Sequence, residues 1–142
     1  MKFKGISLST SFVAALIFSL LLKLMDKFHF IEWNPVGFSD KLHLFSSSHT
    51  VVKWGILFVV IWFICILLYY ISLIFMKVPV SISSLALGIL LAFVLEWVIL
   101  DENSMAKLIK HVSIPFMCIV IMSVRFLMES AIFQAQDHPL SK

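Results

Sequence analysis

The chain predicts an all-α fold, an integral membrane four-helix bundle with a tight hairpin between spans two and three and a longer aromatic-rich loop after span one. Three observations carry that prediction. Trp54 to Met76 reads WGILFVVIWFICILLYYISLIFM, 23 residues without a charge. At about 1.5 Å rise per residue such a helix is roughly 34 Å long, enough to cross a hydrocarbon core of about 30 Å. A backbone in lipid must satisfy its own hydrogen bonds, so a helix is the form this run takes. Second, 61% of the 142 residues are hydrophobic and 13% charged, where soluble domains carry about 45–50% and about 25%. Third, the apolar residues come in long runs, and mean hydropathy is +1.06. The connections are too short to hold a soluble core of their own, so residues 1–142 form a single transmembrane domain.

The spans follow in order. The first covers about residues 5–25. It begins after MKFK, a basic start of the kind that opens a signal peptide, but no small-residue cleavage site follows the apolar run. Lys23, Asp26 and Lys27 do, which reads as an uncleaved signal-anchor helix. The connection after it opens on FHFIEW, whose Phe28, Phe30 and Trp33 suit the headgroup zone. Asn34-Pro35 and Gly37 signal a turn, Ser39-Asp40 caps a short surface helix DKLHLF, and SSSHT offers caps for the second span at 54–76. Lys77-Val78-Pro79 follows almost at once, and proline is welcome in a first helical turn, so the third span runs 78–100 and forms the hairpin with the second. DENSMAKLIK connects to a fourth span at 110–133 that encloses Arg125 and Glu129. Residues 134–142 form a polar, flexible tail.

Net charge is +3 and the isoelectric point about 9.0. In a membrane chain this places lysines against anionic headgroups, and no basic patch interleaved with aromatics points to nucleic acid. One face holds Lys2, Lys4, Lys77 and Lys142 with Arg125 just inside, the other Lys23, Lys27, Lys41, Lys53, Lys107 and Lys110, and this count does not settle the orientation. The signal-anchor start and the short hairpin favour a multi-pass protein of the plasma (inner) membrane with both termini cytoplasmic.

Two stripes of small residues suggest helix contacts. Ser7, Ser11, Ala15 and Ser19 recur every four residues in span one, and the next step lands on Lys23. Ser84, Gly88 and Ala92 do the same in span three, and the next step lands on Glu96. Small side chains at this spacing let backbones approach closely. Spans one and three run in the same direction, and Lys23 and Glu96 stand at matching depth. The expectation is that these spans pack together, with an ion pair between Lys23 and Glu96 acting as a structural clip. Arg125 and Glu129, four apart, are expected to form an intramembrane charged pair near the cytoplasmic interface.

No catalytic, cofactor or metal site is expected. His29, His43, His49 and His111 share one face with Asp40, Asp101 and Glu102, but their spacing matches no metal motif. Cys65 and Cys118 lie inside apolar runs and read as small buried hydrophobes. Nucleophile elbows, phosphate-cradling glycine loops and HExxH are missing from the sequence.

At FHFIEWNPVGF and at YYISLIFMKVPVSISSLALGILLAFVLEWVIL the chain resembles the YqhR-type small membrane proteins of Bacillus-like bacteria. The shared features are an aromatic F-x-F before an acidic residue and a proline, a span ending in YY, a short basic turn, and a span with small residues and a late Trp. The resemblance implies a four-span plasma-membrane protein and carries no activity or site residues with it. The expected role is that of a non-enzymatic accessory, scaffold or regulatory subunit that acts through helix packing with itself or a membrane partner. The alternative is a small oligomeric transporter or channel, which would require a charge at mid-membrane in the bundle interior. The expected partners are the lipid bilayer and a second copy or another membrane protein.

Overall fold

The computed structural model describes residues 2–31, 33–35, 49–100, 106, 109–110 and 113–137. The long helices are α1 Lys2–Lys27, α2 Thr50–Ile74, α3 Val80–Leu100 and α4 Ile114–Asp137, and no strand occurs among the described residues. All four helices are long and apolar enough to cross a membrane.

Each helix end has a local cause. Beyond α1, Phe30 N–H returns to Met25 carbonyl at 3.0 Å, and His29 takes φ 56°. This is the left-handed closing position usually given to glycine; histidine is among the side chains that tolerate it. His49 precedes α2 without a side-chain cap. Between α2 and α3, Val78 N–H bonds Phe75 carbonyl, and Pro79 carbonyl accepts from Ile82 and Ser83 N–H. Proline therefore stands immediately before α3, where its missing donor costs nothing. Ser113 carbonyl accepts the first bond of α4, from Met117 N–H at 3.0 Å.

The helices alternate in direction. Lys23, late in α1, lies 5.8 Å from the ring centre of Trp54, early in α2. Glu96, late in α3, meets Ser113 at the start of α4, and Gln134, late in α4, meets Thr10, early in α1. This is up-down-up-down topology, but the packing is uneven. α4 is the hub, packed against α3, α2 and α1, and α1 also packs on α2. Edge-on aromatic contacts fill the joints: Phe12 meets Phe58 at 5.4 Å and Trp62 at 5.7 Å, and Trp33 meets Phe116 at 5.1 Å.

Several expectations change. α1 and α3 do not pack side by side; the close diagonal is the parallel pair α2 and α4. The 75–79 link is short, yet α2 and α3 are not packed neighbours either, because α4 takes the small-residue face of α3. α4 begins at Ile114 and runs to Asp137, so residues 134–137 are helical where a flexible tail is expected. The expected DKLHLF helix and residues 138–142 lie outside the described residues. Trp33 is buried against Phe116, whereas Phe28 and Phe30 are exposed.

Candidate functional site

Polar side chains gather at three places, each built on α4. At the end of the bundle nearest the start of α1, Tyr69 hydroxyl donates to Gln134 Oε1 at 2.7 Å, and Gln134 Nε2 donates to Thr10 Oγ1 at 2.9 Å. One glutamine thus joins α2, α4 and α1. Tyr69 is fully buried, and a buried phenol stays only where its hydroxyl has a partner. Sequence reasoning misses this ladder because Gln134 opens a polar run. The signal for it is a tyrosine set within an apolar span.

At the opposite end Glu96 is buried, and its Oε1 accepts from Ser113 N–H at 3.0 Å. Ser113 Oγ donates to Phe30 carbonyl at 3.2 Å. The carboxylate therefore caps the positive end of α4, where an anion is favoured, and the same serine ties down the chain leaving α1. Lys23 is exposed and lies over Trp54, so the expected Lys23–Glu96 pair is not made. Each charge finds a nearer partner, because α4 and not α1 stands beside α3.

The small-residue stripes are buried, Ser19 only partly, but against other neighbours than expected. Gly88 faces Ile121 of α4: a methyl group at Gly88 would stand 2.8 Å from the Ile121 Cα. Ser84 and Ala92 are buried on the same side. On α1, Ser7, Ser11 and Ala15 are fully buried. They lie between the positions that meet α4 (Thr10, Phe18) and the one that meets α2 (Phe12), so the stripe faces the α2–α4 pair. The hydroxyls of Ser7, Ser11 and Ser19 are buried without hydrogen-bond partners among the described residues.

The third place is the outer face of α4. Arg125 Nε donates to Glu129 Oε1 at 2.8 Å, with the two side chains 56% and 54% exposed. Arg125 is the twelfth of 24 residues in α4, so it stands at the middle of the helix and not near an end. The pair uses one donor and one carboxylate oxygen; no other partner contacts it among the described residues. Cys118 lies on this face and is exposed, in contrast to the expected burial, whereas Cys65 is buried.

Between the helices lies a cavity of about 200 Å³, walled by Trp33, by Ile61 and Ile64 of α2, and by Val120 and Leu127 of α4. Its surface is apolar throughout, and the exposed Val60 of α2 and Val98 of α3 stand on its wall, so it is an apolar cleft open to the outside of the bundle and not a polar path. Val120→Ile is expected to fill part of it and stabilise the fold by about 0.5–1 kcal/mol, read as a higher midpoint of thermal unfolding in mild detergent. Among the described residues no three His, Cys, Asp or Glu side chains gather in a metal-binding group. His43, His111, Asp40, Asp101 and Glu102 lie outside them. No family model matches the chain, and neither does any curated protein or solved structure.

Proposed function

We propose that the chain is a non-enzymatic, multi-pass membrane protein that serves as an accessory, scaffold or regulatory subunit, working through helix packing with itself or a membrane partner. The observation that carries this reading is the Arg125–Glu129 pair, exposed on the outward face at the middle of α4. In a bilayer that position is the hydrocarbon core, where charged side chains belong against protein or water. A neighbouring helix over this face satisfies the donors and acceptors the pair leaves open. The apolar lining of the cleft between the helices and the use of Glu96 as a cap favour this reading over a conduction path through one chain. The reading extends to the plasma membrane, with both termini cytoplasmic, and to the YqhR-type resemblance.

A photo-activated crosslinking side chain at Met122, exposed one turn before Arg125, tests it in native membranes. The expected result is a protein adduct of discrete mass, with lipid adducts alone from the same probe at Leu67 on α2. Lipid adducts alone from both positions would overturn the reading.

A further inference from the structure

The outer face of α4 has a regular seam. Cys118, Met122, Arg125, Glu129, Ile132 and Gln136 follow one another at steps of four, three, four, three and four residues, the spacing that keeps one stripe facing a partner helix. All are exposed except Ile132, which is partly buried. The three neighbours of α4 within the chain occupy its other side, through Phe116, Val120, Val124, Leu127, Met128 and Ala131.

We propose that this seam is the interface between two copies of the chain, related by a two-fold axis along the membrane normal, with Arg125 of each copy bonded to Glu129 of the other. The inference rests on the reading that the outer face of α4 is covered by protein, and it names that protein. Charge complementarity selects the second copy. The seam holds one cation and one anion a single turn apart, so two identical seams side by side form a closed, neutral group of four charges. The same patch is then used on both copies, as a two-fold interface requires. Copies inserted by the same route share one orientation, so the two Arg125 residues stand at one height. Each guanidinium has about 6 Å of helix rise to span to the opposing carboxylate, within reach of its long stem. Within one chain the pair uses only Nε and Oε1, which leaves the outer guanidinium nitrogens and the second carboxylate oxygen for the other copy. A guanidinium suits such planar, paired recognition. An interface of this kind also removes the cost of leaving both groups against lipid.

Cys118 supplies a native probe, since facing seam positions bring Cα atoms within disulfide range. With the full chain in native membranes, mild oxidation by copper-phenanthroline is expected to give a product of twice the chain mass. Cys118→Ser should abolish it, and Cys65→Ser should not. Arg125→Glu or Glu129→Arg alone places like charges across the seam, and the yield should fall at least about tenfold. Mixing the two variants pairs an all-acidic seam with an all-basic one and should restore it, which also shows that both variants insert and fold. A Cys118 product no more abundant than that of a cysteine placed at Leu67, in a Cys118→Ser background, would overturn the proposal, as would failure of the mixed pair to recover. If the Met122 probe captures a protein of another mass while Cys118 fails to link to itself, the second copy is refuted and the partner reading stands. Lipid adducts alone at Met122 refute both.

Discussion

Gly88→Ile is expected to separate α3 from α4 and to destabilise the protein by about 3 kcal/mol or more, beyond the usual cost of overpacking by single methylenes, about 1–3 kcal/mol. A Cβ at position 88 would meet Ile121 Cγ1 at 2.7 Å, Cα at 2.8 Å and Cβ at 3.2 Å. The flexible Cγ1 can turn aside, but the Cα belongs to the α4 backbone, so the helices themselves must move. Isoleucine adds four carbons where even one does not fit. α3 packs chiefly on α4, so no second neighbour compensates. Gly88→Ala carries the same clash in its smallest form, set against about 1 kcal/mol of improved helix propensity. Gly5 and Gly55 are the controls: an added Cβ meets nothing within 4 Å at either, and alanine there should be neutral or slightly stabilising. Detergent-titrated unfolding followed by circular dichroism measures all four variants. Equal stability of the Gly88→Ile and Gly55→Ala proteins would remove the close-approach account of α3.

Glu96→Ala is expected to cost about 2–3 kcal/mol, whereas Glu96→Gln should cost less than about 1 kcal/mol. The difference follows from which atom does the capping. Ser113 N–H, 3.0 Å from Oε1, is partly buried and loses its acceptor in the alanine variant, and an unpaired donor shielded from water costs about 1–3 kcal/mol. Loss of the carboxylate at the start of α4 adds about 0.3–1 kcal/mol from the helix dipole. Glutamine keeps a carbonyl oxygen in the same place. Its amide nitrogen takes the position of Oε2, which already lacks a partner among the described residues. Ser113→Ala keeps the N–H and loses only the bond to Phe30 carbonyl, so it should fall between the two at about 1 kcal/mol. The three stabilities, measured in one detergent, test the order. Matching losses in the alanine and glutamine variants would mean that Glu96 acts through its charge and not as a cap.

The helices are legible in the sequence because the rule behind them is simple. An apolar run of sufficient length has one stable form in lipid, and α2 shows it most directly. Which faces of α1 and α3 are buried is legible too: Ser7, Ser11, Ala15, Ser84, Gly88 and Ala92 are all turned inward. What each face meets is not. A stripe of small residues says that something approaches closely and is silent on what it is. The stripes of α1 and α3 invite pairing with each other because both lead to a charge, yet α4 supplies the neighbour of α3. The start of α4 is obscured for a related reason. Lys110 and His111 flank an apolar stretch that Arg125 interrupts, so hydropathy alone centres the helix too early. Ser113 with Pro115 just beyond it is the sharper local signal, since serine favours the cap and proline the first turn. The exposed face of α4 is hidden altogether, because hydropathy cannot tell a charge that faces a neighbour within the chain from one that faces outward.

That α4 holds the other helices together has a consequence for biogenesis. Synthesis runs from the first helix to the last, so α1, α2 and α3 are made before the helix that organises them. At that stage α1 and α2 have each other, whereas α3, with a glycine notch and a glutamate that has no helix start to cap, has no settled neighbour. Packing of α3 is therefore a late event that waits on the last helix, and until then its small-residue face stays uncovered.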